Sequence, residues 1–154
     1  MDGVKLQEEV VLPEFSLPLL GGGSLESQSL ADRRILLYFY PRDDTPGCTI
    51  EAREFSELLD AFATKDVEVF GVSPDDEESH RRFHDKCGLS VPLATDQDHK
   101  LASALGAWGT SSIGGNSYEG VQRSTFFIDH GRVAGVWRKV KPQGHAAEVL
   151  AAIQ

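Results

Sequence analysis

Cysteine is scarce in this chain of 154 residues, which holds two, Cys48 and Cys87. Neither sits in a C-x-x-C pair or in the paired spacing of a zinc knuckle, which excludes a disulfide framework and a dithiol redox motif. A reducing, cytoplasmic compartment is the expectation. Long apolar runs are missing too: the longest, Ile35 to Tyr40, is about a third of the ~20 residues a membrane-spanning helix needs, and it reads as a buried strand. The first residues place acids where a signal peptide carries a basic and then an apolar region, so secretion is not expected. Basic charge is also short, 15 Lys and Arg against 24 Asp and Glu, for a net charge of -9. Such a surface repels phosphate backbones and anionic headgroups, so neither nucleic acid nor membrane is an expected partner. No repeat, low-complexity tract or Pro/Ser-rich linker divides the chain, and 1–154 reads as one domain.

What is present alternates between strand and helix patterns. Val10 to Leu19, interrupted by Pro13 and Pro18, suits edge strands, and Gly21-Gly22-Gly23 marks a turn. Those glycines lack the Gly-Lys-Ser/Thr of a phosphate loop. Ile35 to Tyr40 predicts a central strand, followed by a loop from Pro41 to Gly47 and a helix carrying Phe55, Leu58, Leu59 and Phe62 at i, i+3, i+4, i+7. Val67 to Val72 is the next strand, and Asp75, Asp76 and Glu77 supply cap and first-turn acids for a helix running to about Cys87, stopped by Gly88. Val91 to Ala94 reads as a short strand and Lys100 to Leu105 as a short helix. Gly106 to Gly120, rich in glycine and serine and without periodicity, reads as a loop. Trp108 and Tyr118 flank it as packing anchors. Arg123 to Ile128 and Arg132 to Trp137 form a hairpin about Asp129-His130-Gly131, and a helix from Gly144 to Ile153 presents Ala147, Leu150 and Ala151 on one face. The order predicts an α/β fold, a mixed central sheet with helices on both faces, which a thioredoxin-like architecture satisfies.

The chemistry concentrates in Tyr40-Pro41-Arg42-Asp43-Asp44-Thr45-Pro46-Gly47-Cys48-Thr49. Thr45 suits an N-cap and Pro46 the first helical position, which puts Cys48 third in the helix, where free amides and the helix dipole favour a thiolate. Seven residues before Phe55, Cys48 falls on the core-facing stripe, so its sulfur is partly shielded. An inert buried cysteine is the commoner fate of such a residue, but the cap, the proline and the helix start weigh against it. Asp43 and Asp44 oppose a thiolate if they face it, and Arg42, Arg53 and Arg123 are the candidate cations that offset them.

Pro41-x-x-x-Thr45-x-x-Cys48 resembles the P-x-x-x-T-x-x-C motif of the peroxiredoxins, and the stretch from Tyr38 to Glu51 is similar to their bacterioferritin-comigratory (PrxQ) branch. Leu12 to Pro18, Gly71-Val72-Ser73, Pro92 to Asp96, Arg123 to Asp129 and Lys139 to His145 resemble the same branch, so the likeness covers nearly the whole chain. It implies a thioredoxin-like fold and a thiol-dependent peroxidase that reduces hydrogen peroxide and organic hydroperoxides through a sulfenic acid on Cys48. It also implies that Thr45 hydrogen-bonds the peroxide, Pro41 shields the thiolate and Arg123 supplies positive charge. Thioredoxin or another thiol is the implied reductant and a monomer the implied state. The thiol performs the chemistry itself, so no cofactor or metal is called for. Glu51, one turn after Cys48, is positioned to support a guanidinium, although an exposed helix acid is an equal reading. Without the resemblance, a disulfide oxidoreductase and a binding module of the same fold compete, but the first wants C-x-x-C and the second has no need of Thr45, Cys48 and Arg123 together.

The second thiol departs from the branch. Relatives that carry a resolving cysteine place it five residues after the first, here Arg53, or after a phenylalanine in the later helix, here His84 after Phe83. Cys87 lies a turn beyond and is the candidate resolving residue. That displacement favours a one-cysteine cycle with Cys87 as apolar filler. His80, His84 and Cys87 share a helical stripe, but ligands at i and i+7 rarely converge on one ion, and the stripe reads as solvated rather than as a metal site.

Overall fold

The computed structural model describes residues 10–113 and 115–154. The acidic start on which the reading about secretion rests lies outside the described residues. Strands β1 (Ser16–Pro18) and β2 (Ser24–Glu26) pair as an antiparallel hairpin around the Gly21 to Gly23 turn, where all three glycines have positive φ. There follow β3 (Arg34–Phe39), α1 (Pro46–Glu57), α2 (Leu59–Ala63), β4 (Val67–Ser73), α3 (Glu77–Cys87), β5 (Leu93–Thr95) and α4 (Lys100–Ala104). The chain closes with β6 (Trp108–Ile113), β7 (Asn116–Val121), β8 (Ser124–Asp129), β9 (Arg132–Trp137) and α5 (His145–Ala152). The main sheet runs in the order β5-β4-β3-β8-β9, parallel across β5, β4 and β3 and antiparallel from β3 through β8 to β9.

Side-chain alternation along β3 divides the core. Leu36 and Tyr38 join Phe55, Phe62, Phe83 and Val149, the inward faces of α1, α2, α3 and α5. Ile35, Leu37 and Phe39 join Phe126, Ile128, Leu101 and Leu25 on the face closed by α4 and the β1-β2 hairpin. A strand buried on both faces is apolar throughout, which is why Ile35 to Tyr40 shows no polar alternation. β3 is central as expected, so its C-terminal end opens directly into the loop before Cys48, at the middle of the sheet.

Three expectations need correction. The helix read through Phe62 breaks at Leu58 (φ -101°, ψ 6°). The Leu58 amide donates to both Glu54 O and Phe55 O, tightening the last turn, and α2 restarts so that Phe55 and Phe62 both still reach the core. The segment read as a loop from Gly106 to Gly120 contains the β6-β7 hairpin. A backbone ladder needs no hydrophobic period, and this one is anchored at its base, where Gln122 N donates to Ala107 O and the Trp108 ring stacks on His99. The side chain of Tyr118, on β7, lies outside the described set. In α5 the inward residues are His145, Ala146 and Val149, followed by Ile153, while Ala147 and Ala151 are exposed and Leu150 is half-buried. A polar residue, His145, heads the buried stripe, and the apolar pattern alone therefore selected the neighbouring face.

Candidate active site

Pro46, Gly47 and Cys48 open α1 in the expected order, with Thr45 at the N-cap position (φ -103°, ψ 156°). The Thr45 hydroxyl does not cap the helix: it donates to Arg42 O at 3.1 Å, while Thr45 O accepts from the amide and hydroxyl of Thr49. The first-turn amides are thus left without a side-chain cap from Thr45. Cys48 is 1% exposed, packed in the cluster that holds Tyr38, Ala52 and Phe55.

Of the three candidate arginines, Arg123 is the one at the sulfur. Its Nη2 donates to Cys48 Sγ at 3.3 Å and its Nη1 donates to Glu51 Oε1 at 2.6 Å, whereas Arg42 and Arg53 are exposed. Arg123 is half-buried there rather than free at a sheet edge. Its position is set from two sides. It immediately precedes β8, and its carbonyl accepts from Val140 N; Gly47 leaves room above it, since a Cβ at Gly47 would lie 3.2 Å from Arg123 Nη2 and 3.2 Å from Pro142 Cγ. Burial pulls the guanidinium toward a lower pKa, but the negative charges of Glu51 and Cys48 outweigh it, and the net direction is upward.

Glu51 is fully buried, not an exposed helix acid. Burial raises its carboxyl from the ordinary 4.5 to about 7 against the opposing pull of Arg123, and its second oxygen, Oε2, has no hydrogen-bond partner among the described residues. Below Cys48, the Tyr38 ring stacks on Phe55 with centroids 4.4 Å apart, and its buried hydroxyl fills the space left by Gly71, where a Cβ would lie 2.6 Å away. Burial first, then the negative charges of Glu51 and Cys48, hold that phenol well above its ordinary pKa, so it stays neutral.

The two aspartates before Thr45 turn to α3 rather than to the sulfur. Asp43 accepts from Tyr40 Oη at 2.6 Å, Ser79 Oγ at 2.7 Å and His80 Nδ1 at 2.8 Å, and Asp44, in the left-handed region at φ 58°, pairs with Lys86 at 2.9 Å. His80 is buried, not part of a solvated stripe. Its inward orientation was signalled by Phe83 at i+3, a core residue on the same face. Sequence reasoning also missed His145, whose Nε2 lies 2.7 Å from Thr125 Oγ1 and whose Nδ1 lies 3.2 Å from Glu148 Oε1. Pro41 is exposed at the end of β3, and Cys87 is half-buried in the last turn of α3. Both cysteines are free thiols.

With this geometry in view, the likeness to known proteins is decisive. Residues 10–136 match the AhpC/TSA family. The chain belongs to that family. It is 42% identical over 139 residues to peroxiredoxin Bcp of Bacillus subtilis, spanning 90% of this chain and 88% of that protein. To peroxiredoxin Bcp of Escherichia coli it is 36% identical over 141 residues, spanning 91% and 90%. Its fold superposes with a TM-score of 0.85 on the bacterioferritin comigratory protein of Xanthomonas campestris, at 37% identity and covering 94% and 97% of the two chains. That protein was solved as trapped intermediate and ligand complexes that concern its alkyl peroxide reduction activity. The present peroxiredoxin is of the Bcp/PrxQ type, with a thioredoxin-like fold, and is a thiol-dependent peroxidase that acts on peroxides with a thiol reductant. Among the described residues, no helix is long and apolar enough to cross a membrane.

Proposed function

We propose that Cys48 reduces hydrogen peroxide and organic hydroperoxides, and that the observation carrying this assignment is the 3.3 Å contact from Arg123 to a buried sulfur in a helix's first turn. The Cys48 thiolate attacks one peroxide oxygen. An S–O bond forms as the O–O bond breaks, the departing oxygen takes a proton and leaves as water or an alcohol, and the sulfur is left as a sulfenic acid. Charge develops on the departing oxygen, where the Arg123 guanidinium and the first-turn amides are already oriented to meet it. Because the Thr45 hydroxyl donates its proton to Arg42 O, its lone pairs are left to accept from the peroxide O–H. Pro41, exposed just after Tyr40, screens the solvent side of the loop. Glu51 supports the guanidinium from behind.

An external thiol, thioredoxin or another, then attacks the sulfenic sulfur in a one-cysteine cycle. Support for that reading comes from Cys87, which packs partly buried against the core in a regularly closed helix end, with Gly88 in the left-handed conformation. We place the enzyme in the cytoplasm as a monomer built from one domain and working in antioxidant defence, a reading supported by its acidic surface and its two free thiols. The test is single-turnover peroxide consumption by Cys48→Ser: loss of turnover with an unchanged circular dichroism spectrum is expected, and retained turnover rejects the assignment.

A further inference from the structure

The largest buried polar assembly that the chemistry above leaves unused lies beside the active-site loop. Asp43 is 7% exposed and His80 fully buried. Both nitrogens of the His80 ring face acceptors at hydrogen-bond distance, Asp43 Oδ2 at 2.8 Å and Ala94 O at 3.0 Å. Tyr40 and Ser79 hydroxyls complete the Asp43 carboxylate, while the Asp43 amide donates to Asp75 Oδ2, itself held by Ser73 Oγ. These bonds join the end of β3 and the 41–45 loop to the first turns of α3 and to β5.

The burial of Cys48 gives this assembly a consequence. At 1% exposure, a sulfenic acid formed on Cys48 in the first turn of α1 is closed off from solvent, so a thiol reaches that sulfur only when this turn and the 41–45 loop that leads into it move. The attack on a small peroxide needs the opposite, a closed loop with Arg123 on the sulfur. We propose that Asp43 is a positioning residue whose bonds to His80, Ser79 and Tyr40 hold the loop closed on α3, speeding the peroxide step and slowing the thiol step that follows. In that second step the sulfur–oxygen bond breaks, a sulfur–sulfur bond forms to the incoming thiol, and the oxygen leaves as water with the thiol's proton. The proposal rests on the assignment of Cys48 as the reacting thiol.

The experiment uses the full chain carrying Cys87→Ser, so that dithiothreitol is the one thiol acting on the sulfenic acid. Hydrogen peroxide oxidation and dithiothreitol reduction of Cys48 are timed separately by quenched-flow mass spectrometry. Asp43→Asn is expected to slow oxidation several-fold and to speed reduction roughly tenfold, the change that loss of a buried charge-assisted hydrogen bond brings. Ser79→Ala removes one bond from the half-buried edge of the assembly without burying anything new, and is expected to shift both rates in the same senses by a smaller factor. Rates that fall together, or a ratio of the two that is unchanged in Ser79→Ala, overturn the proposal even if Asp43→Asn fails to fold. If the parent protein itself forms no sulfenic acid on Cys48, the functional assignment fails instead.

Discussion

At the scale of single residues, the site depends on where Arg123 puts its two nitrogens, since Nη2 meets the sulfur and Nη1 meets Glu51. A lysine there offers one point charge and cannot reach both partners in that fork. Arg123→Lys is therefore expected to lower the rate of peroxide attack by roughly 10²-fold, the scale of losing one oriented donor at developing charge. Reduction of the sulfenic acid should change little, and stopped-flow oxidation at the wild-type rate would show that the guanidinium has no part in the step. Thr45→Val should act on the same step. Its stability cost should fall below the ~1 kcal/mol typical of a lost N-cap, because the Thr45 hydroxyl bonds to Arg42 O rather than to a helix amide. Gly47 makes a subtler test. An alanine Cβ would stand 3.2 Å from both Arg123 Nη2 and Pro142 Cγ, tighter than ordinary contact, so one of them must shift. Since Pro142 is a ring on a chain already tied through Val140 N to Arg123 O, the guanidinium is the freer of the two. Gly47→Ala should slow oxidation more than it lowers the melting temperature, and an unchanged oxidation rate would locate the give in Pro142.

At the scale of elements, the contrast lies between α1, which is legible in the amino-acid sequence, and α3, which is legible there in outline alone. Thr45, Pro46 and the apolar stripe to Phe55 mark where α1 begins and which way Cys48 faces, because capping and periodicity are local properties. The ends of α3 are equally plain: Asp76 caps it by accepting from Ser79 N, and Gly88 closes it at φ 61°. What the sequence hides is the distant partner that lets a polar residue on the Phe83 face of α3 stay buried. His80 is buried because Asp43, thirty-seven positions earlier, supplies the acceptor, and pairings at that separation leave no periodic trace. The same reason conceals His145 behind Thr125, and it leaves the reading of Glu51 divided between support for a guanidinium and an exposed helix acid until Arg123 is seen against it. The β6-β7 hairpin escapes for a different reason: in a glycine- and serine-rich stretch neither face is strongly apolar, so the period that marks a strand is absent. One prediction belongs at this scale. If Cys87 is a filler in a closed helix end, Cys87→Ser should leave turnover with a small thiol within about twofold and cost no more than about 1 kcal/mol, since serine keeps the size and adds one hydroxyl near solvent. Recovery of a Cys48–Cys87 peptide in high yield after stoichiometric peroxide, together with loss of turnover in the serine variant, would falsify the one-cysteine cycle.

Across the whole molecule, the sheet order puts the end of β3 at the centre, so the Cys48 turn is walled by α3 on one side and by Arg123 ahead of β8 on the other, and the site's charges are taken out of water as the core forms. That burial makes one of them a probe of folding. Glu51 binds its proton more tightly folded, at about 7, than its ordinary 4.5, so between those values the native state holds more of that proton than the unfolded chain. Stability from this group is therefore fully present below about pH 4.5 and declines as pH rises to about 7, and the raised pKa corresponds to roughly 3 kcal/mol at 1.36 kcal/mol per unit. His145 works in the other direction: burial lowers its pKa, so its contribution is lost as pH falls below the ordinary 6.5, and the two slopes partly cancel in a raw stability profile. The comparison with Glu51→Gln separates them. Glutamine keeps the shape of the neutral carboxyl and cannot ionise. In the variant Arg123 stays charged and without the Glu51 anion at every pH, so this site adds no slope of its own to the variant's profile. The remaining acids and bases behind the net charge of -9 are common to both proteins and drop out of the difference. Urea unfolding of the two proteins from pH 4.5 to 8 should thus show wild-type stability falling relative to the variant by up to about 3 kcal/mol, with most of the change complete by pH 7. A difference that stays flat over that range would mean that the Glu51 proton is held no more tightly folded than unfolded. The carboxylate would then be fully compensated by Arg123 despite its unpartnered Oε2.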